Sequence, residues 1–218
     1  MVEVIQASNL TLHEVKERFN LQSCQDPQFF PEWRNIPTSD LVAYEQYWLD
    51  QAKADFLSLA EYSLHEEIVK LSVLAPVLSV AGLCRAPFVP AAEKQVEVSF
   101  EDEDQVIRGR VDLLILHRNL WVTTIETKPK QADVLTALPQ ALFYMLASPV
   151  NSHPLFGLVT NGNFFLFVKL VKHGQPRFGL SEPFTLLRQE NELYQVVGIL
   201  KHLRDLVLSE DWQARQAG

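Results

Sequence analysis

Two short strings carry the residues best suited to chemistry: Arg110-Val111-Asp112-Leu113 and Ile125-Glu126-Thr127-Lys128. Both carboxylates sit in strand-like stretches that are otherwise too apolar to want them. An ionised carboxylate is costly to bury unless it is paired or binds a metal ion. Side chains alternate along a strand, so Glu126 and Lys128 share one face while Ile125 and Thr127 share the other. The connection His117-Arg118-Asn119 is short, so the two strands read as antiparallel neighbours with Asp112 within reach of Glu126. The register itself is left open by the sequence. The plainer alternative is a buried or edge salt bridge between Asp112 and Lys128.

Other residues fall in with this pair. Arg108 and Arg110 share strand parity with Asp112, and Arg suits bidentate contact with phosphate. Arg118, Lys128 and Lys130 make the same stretch locally basic. The bland alternative for Arg108 and Arg110 is a solvated strand face answering the acidic turn Glu101-Asp102-Glu103-Asp104. Gln140 and Tyr144 are four apart on one helix and hence on one face. Glu66 completes a capping box begun by Ser63. Glu67 falls with Leu64, Leu71, Leu74 and Leu78 on the face expected to pack on the sheet, so it is the favoured helix carboxylate. Its alternative is an ion pair with Lys70 or Lys128.

The elements that must position these residues follow from the patterning. Thr11 to Leu21 reads as a short helix, capped by Thr11 with Glu14 as partner. Residues 22–40 carry Pro27, Pro31 and Pro37 among Phe29, Phe30 and Trp33, an aromatic arm that packs on the core or contacts a partner. Helices are expected over 41–62 and from Ser63 towards Gly82, with a kink at Pro76. Strands follow over 95–100, 106–116 and 120–128, the second central because it is apolar on both faces. A helix over 136–147 opens at Thr136, and Asn161-Gly162 joins strands 155–160 and 163–171 as a two-residue hairpin. A short strand near 184–187 and a helix over 192–208 close the chain. This order predicts α/β (or α+β) architecture, a mixed sheet covered by helices. It divides into an arm, residues 1–62, and a domain, residues 63–218.

Composition limits the partners. The 218 residues are 47% hydrophobic and 21% charged, which is globular and not disordered. Net charge is 19 − 27 = −8, against a general nucleic-acid coat but not against a local site. Two cysteines make neither a disulfide framework nor a zinc pattern, and the six histidines show no ligand spacing. There is no Gly-rich phosphate loop. The apolar stretch Leu71 to Cys84 is shorter than the ~18 residues a membrane span needs, and MVEVIQASNL is no signal peptide. A reducing cytoplasm is the expected location.

Asp112, then Glu126-Thr127-Lys128 on the next strand, resembles the PD-(D/E)XK nuclease superfamily. Glu66-Glu67 upstream and Gln140-Ala141-Leu142-Phe143-Tyr144 downstream match its helix glutamate and the Q-x-x-x-Y motif of the RecB-like branch. The chain is also similar to small cyanobacterial proteins described as similar to type I restriction subunits. The resemblance spans residues 63–171, and Val111 stands where the superfamily often has Pro. It implies a restriction-endonuclease-like fold and metal-dependent hydrolysis of DNA. Asp112 and Glu126 would hold Mg²⁺ (or Mn²⁺), with Glu67 and the Thr127 carbonyl as further oxygen ligands. Lys128 would serve the attacking water, and Gln140 and Tyr144 would position the strand. The alternative is a catalytically inactive nuclease-fold module that binds nucleic acid or a partner protein. A homodimer, or a partner supplying sequence choice, would complete either reading.

Overall fold

The computed structural model describes residues 3–34, 36, 41–59, 61–62, 64–100, 105–117, 120–127, 133–151 and 153–209, with the backbone alone at 3, 99–100, 116–117 and 120–127. Among the described residues, nine strands form one mixed sheet. They are β1 (Glu3–Gln6), β2 (Gln22–Ser23), β3 (Phe88–Phe100), β4 (Gln105–His117), β5 (Leu120–Thr127), β6 (Leu155–Thr160), β7 (Phe164–Val171), β8 (Arg177–Leu180) and β9 (Phe184–Thr185). The order is β1-β4-β5-β6-β7-β8-β2, with β3 also on β4 and β9 also on β7. Helices are α1 (Leu12–Arg18), α2 (Ala43–Ser58), α3 (Glu66–Val69), α4 (Ala75–Ala81), α5 (Leu138–Ala147) and α6 (Leu193–Leu208).

Helices cover both faces, because both faces are apolar. On one side α2, α4 and α6 bury Leu49, Phe56, Leu78, Val197 and Leu200 with Ile115, Phe156, Leu158 and Phe167 of the sheet. On the other, α1 and α5 bury Val15, Leu142 and Phe143 with Ile107, Val111, Leu114 and Val168. The described part of the aromatic arm covers the first face: Phe30 enters that core, and Glu32 pairs with Lys169. This is the expected α/β architecture, a mixed sheet between helices. Among the described residues, no helix is long and apolar enough to cross a membrane.

The neighbours of β4 shape the site. β3 runs antiparallel along one edge of β4, from Phe88↔His117 to Phe100↔Gln105. The other edge is therefore shared. β1 pairs parallel with 105–108, and β5 pairs antiparallel with 113–117. Residues 109–112 lie between these two partners, so the sheet splits there. Side-chain alternation also slips at the split. Ile107 and Val111 pack on the α5 side, whereas Leu113 and Ile115 pack on the other. Opposite Asp112 on β3, Glu93 takes φ 49, a conformation uncommon for residues with a Cβ.

Several local expectations are corrected. The second helix starts at Glu66 after His65, without a side-chain cap; the proposed cap, Ser63, lies outside the described residues. Its interruption is a π turn, Lys70–Leu74, just before Pro76. Pro76 has no N–H, so the Ser72 carbonyl lacks its usual partner four residues on. α5 begins at Leu138, not Thr136; a 3₁₀ turn over Val134–Ala137 precedes it, capped by Asp133. Asn161-Gly162 is part of a three-residue loop, in which the Asn161 side chain accepts from the N–H groups of Asn163 and Phe164. β1, β2 and β8 escape sequence patterning because they have four residues or fewer. The Thr11–Glu14 capping box forms as expected.

Candidate functional site

The split in the sheet is filled from α5. Tyr144 is fully buried, and its hydroxyl donates to the Arg110 carbonyl at 2.8 Å. Gln140, one turn earlier and also buried, donates through Nε2 to the Tyr144 oxygen at 3.0 Å. The contact needs Gly109. A Cβ there would lie 2.4 Å from the Tyr144 hydroxyl and 2.7 Å from the Ala7 Cβ. A crossover helix thus supplies the hydrogen bond that a neighbouring strand would otherwise make.

A groove of about 500 Å³ opens over this contact, lined by Gln6, Ser8, Gln95, Arg108, Gly109, Arg110, Gln140 and Tyr144. It brings together four residues singled out in the sequence: Arg108, Arg110, Gln140 and Tyr144. Both arginines already face carboxylates of β3. Arg108 Nε meets Glu97 at 2.7 Å, and Arg110 lies 3.7 Å from Glu93. All four of these side chains are substantially exposed, so the pairs are weak and exchangeable.

Asp112 ends the split on the β5 side. The last β4–β5 pair is Leu113↔Ile125, next to Asp112 on one strand and position 126 on the other. β5 then follows β6 alone, with Glu126↔Val159 and Thr127↔Thr160. Lys128 lies outside the described residues. The Asp112 side chain is 17% exposed and faces Lys70, with Oδ1 3.7 Å from the ammonium nitrogen. The same nitrogen meets Glu66 at 2.8 Å and Glu67 at 3.1 Å. Burial disfavours the Lys70 charge, but the Glu66 hydrogen bond, the Asp112 charge and the Glu67 hydrogen bond outweigh it and hold the ammonium well above the usual lysine range.

Of the two glutamates that open α3, the sheet-facing one is Glu66 and not, as the spacing predicts, Glu67. The Glu67 side chain is 77% exposed, and that of Glu66 is 31% exposed. The π turn adds one residue between the buried positions Val69 and Leu74, which shifts the sheet-facing phase back from Glu67 to Glu66. Leu71, assigned to the same buried face, is also exposed. Pro76 was the available signal.

Whether these groups suit a divalent cation depends on how the described carboxylates are satisfied. Among the described residues, no group of three carboxylate, histidine or cysteine side chains is arranged so that it could hold a metal ion. The position between Glu66 and Asp112 is taken by the Lys70 ammonium. The described side chains therefore do not fit an Mg²⁺ seat.

No family model and no curated protein matches the chain. A solved fragment described as an HsdR subunit of a type I restriction enzyme, from Vibrio vulnificus YJ016, is similar in structure. The sequences are 21% identical, and the TM-score is 0.41. The match covers 64% of this chain and 26% of that one, so it involves about a quarter of that fragment's length. It is a remote likeness to a restriction-enzyme subunit.

Proposed function

We propose that this chain is a nuclease-fold module that binds nucleic acid along the split of its sheet. The supporting observation is the groove that places Arg108, Arg110 and Gln140 side by side. Two guanidiniums can each take a phosphate bidentately, while the amides of Gln6 and Gln95 offer donors and acceptors to sugar and base edges. Glu93 and Glu97 hold the arginines when no strand is bound. Phosphate competes for them at small cost, because exposed ion pairs are worth only ~0–1 kcal/mol. With a net charge of −8, affinity must come from this local patch and not from the overall field.

The test is anisotropy titration of labelled single- and double-stranded DNA and RNA, at several salt concentrations. Arg108→Ala/Arg110→Ala is expected to weaken binding and to lower the salt slope by roughly 0.7–0.9 per lost phosphate contact. Unchanged affinity and slope in the double variant would remove the groove from the reading.

A second reading is metal-dependent hydrolysis of DNA, with Asp112, Glu126, Lys128, the Thr127 carbonyl and a helix glutamate at the site. One observation favours it: the β4–β5 register ends at Leu113↔Ile125, next to Asp112 and position 126. Cleavage of a mixed DNA panel in Mg²⁺ or Mn²⁺, lost in Asp112→Asn, would establish it. No cleavage by either protein leaves the binding module as the sole reading.

A further inference from the structure

We infer that Lys70 is a tethered cation that replaces a divalent ion among the carboxylates at the Asp112 end of the split. The proposal concerns this cluster and is independent of nucleic-acid binding in the groove. One ammonium spans Glu66 at 2.8 Å, Glu67 at 3.1 Å and Asp112 at 3.7 Å. These carboxylates come from two elements, α3 and strand β4, and Lys70 ties one to the other. Its position is built into the chain. Lys70 opens the π turn, and its backbone N–H bonds the carbonyls of Glu66 and Glu67. The helix turn that carries the ammonium is thus the turn that carries two of its partners. The Lys70 side chain is only 23% exposed, so its stem is held among neighbours.

A divalent cation placed between Glu66 and Asp112 would lie within a few ångströms of this ammonium. Mg²⁺ demands near-octahedral oxygen coordination and tolerates no fixed positive charge in its shell. Like-charge repulsion across so short a gap in a partly buried site is severe. Entry of metal would require Lys70 to leave, breaking its hydrogen bonds to Glu66 and Glu67. Removing the lysine charge, in contrast, would take from Glu66 and Asp112 the cation they share, and the added negative charge would favour a cation from solution.

The experiment titrates the full chain with Mn²⁺, followed by electron paramagnetic resonance, and measures thermal melting with and without Mg²⁺. The proteins are wild type, Lys70→Met, Asp112→Asn and Lys70→Met/Asp112→Asn. Wild type is expected to bind Mn²⁺ no better than Asp112→Asn, and its melting midpoint is expected to be insensitive to Mg²⁺. Lys70→Met is expected to melt lower without metal, to recover with Mg²⁺, and to bind Mn²⁺ at least about tenfold tighter than wild type. The double variant is expected to lose that gain. Site-specific Mn²⁺ binding by wild type that Asp112→Asn abolishes would overturn the proposal. So would a folded Lys70→Met with no gain in affinity. Should Lys70→Met fail to fold, the wild-type and Asp112→Asn titrations decide alone. Equal weak binding supports the tethered cation, and a loss in Asp112→Asn refutes it.

Discussion

The Tyr144 hydroxyl donates to the Arg110 carbonyl at 2.8 Å, two residues before Asp112, where β4 has neither β1 nor β5 beside it. The tyrosine closes the gap in the ladder and anchors α5 to the strand that carries Arg108, Arg110 and Asp112. Removing only the hydroxyl leaves a buried carbonyl and the Gln140 amide to find new partners. Tyr144→Phe should therefore cost about 1–3 kcal/mol in urea unfolding, with the fold retained by circular dichroism. A loss below ~0.5 kcal/mol would mean that water takes over the contact easily.

Gly109 is demanded by the same contact, for lack of space. A methyl group there meets the Tyr144 hydroxyl at 2.4 Å, the Ala7 Cβ at 2.7 Å and the Tyr144 ring at 2.9 Å. None of these neighbours is the free end of a flexible chain. Gly109→Ala should destabilise by about 1–3 kcal/mol, the usual range for overpacking. Combining it with Tyr144→Phe removes the shortest clash, so the double variant should be less destabilised than the sum of the two. Strict additivity in the double-mutant cycle would separate the two effects.

What the sequence conveyed about this site depended on which rule each residue obeys. β4 was legible because an apolar run on both faces marks a strand inside a sheet, and the short connection made it antiparallel to β5. Gln140 and Tyr144 were legible as a pair on one helix face. That the tyrosine serves a backbone carbonyl was not, because the split in β4 depends on β1, a four-residue strand with no pattern of its own. Parity placed Arg108, Arg110 and Asp112 on one face, opposite the α5-packed Ile107 and Val111, and alternation slips only after Asp112, where Leu113 and Ile115 join the face that Asp112 shares with α3. Helical periodicity chose Glu67 for the same kind of reason: it assumed 3.6 residues per turn through a segment containing a π turn.

The shift from Glu67 to Glu66 is measurable. Glu66 meets Lys70 at 2.8 Å in a partly buried setting, whereas Glu67 is mostly solvated. Glu66→Gln should cost roughly 1 kcal/mol or more, since it weakens a charge-assisted bond to an ammonium that remains. Glu67→Gln should stay within about 0.5 kcal/mol, as is usual for a mostly exposed partner. Equal costs would contradict the helix phase set by the π turn.

Acid sensitivity should trace to His153. This side chain is buried, and its Nδ1 lies 3.1 Å from the Pro154 carbonyl. Burial pushes its pKa below the ordinary histidine value; the Pro154 hydrogen bond opposes this, and the nearby Lys172 charge reinforces it. Lys172 is itself pushed by burial down to about 8, yet its ammonium still donates to the α5 carbonyl of Leu146 at 3.2 Å. Below about pH 6.5 the unfolded chain takes up a proton at His153 that the folded chain resists. The unfolded state then binds more protons, so stability is retained above that pH and falls as the pH drops through it, by at most ~1.4 kcal/mol per unit from this group. Urea midpoints measured from pH 7.5 to 5 should decline for the wild type and flatten in His153→Gln. An unchanged slope in the variant would place the acid sensitivity elsewhere.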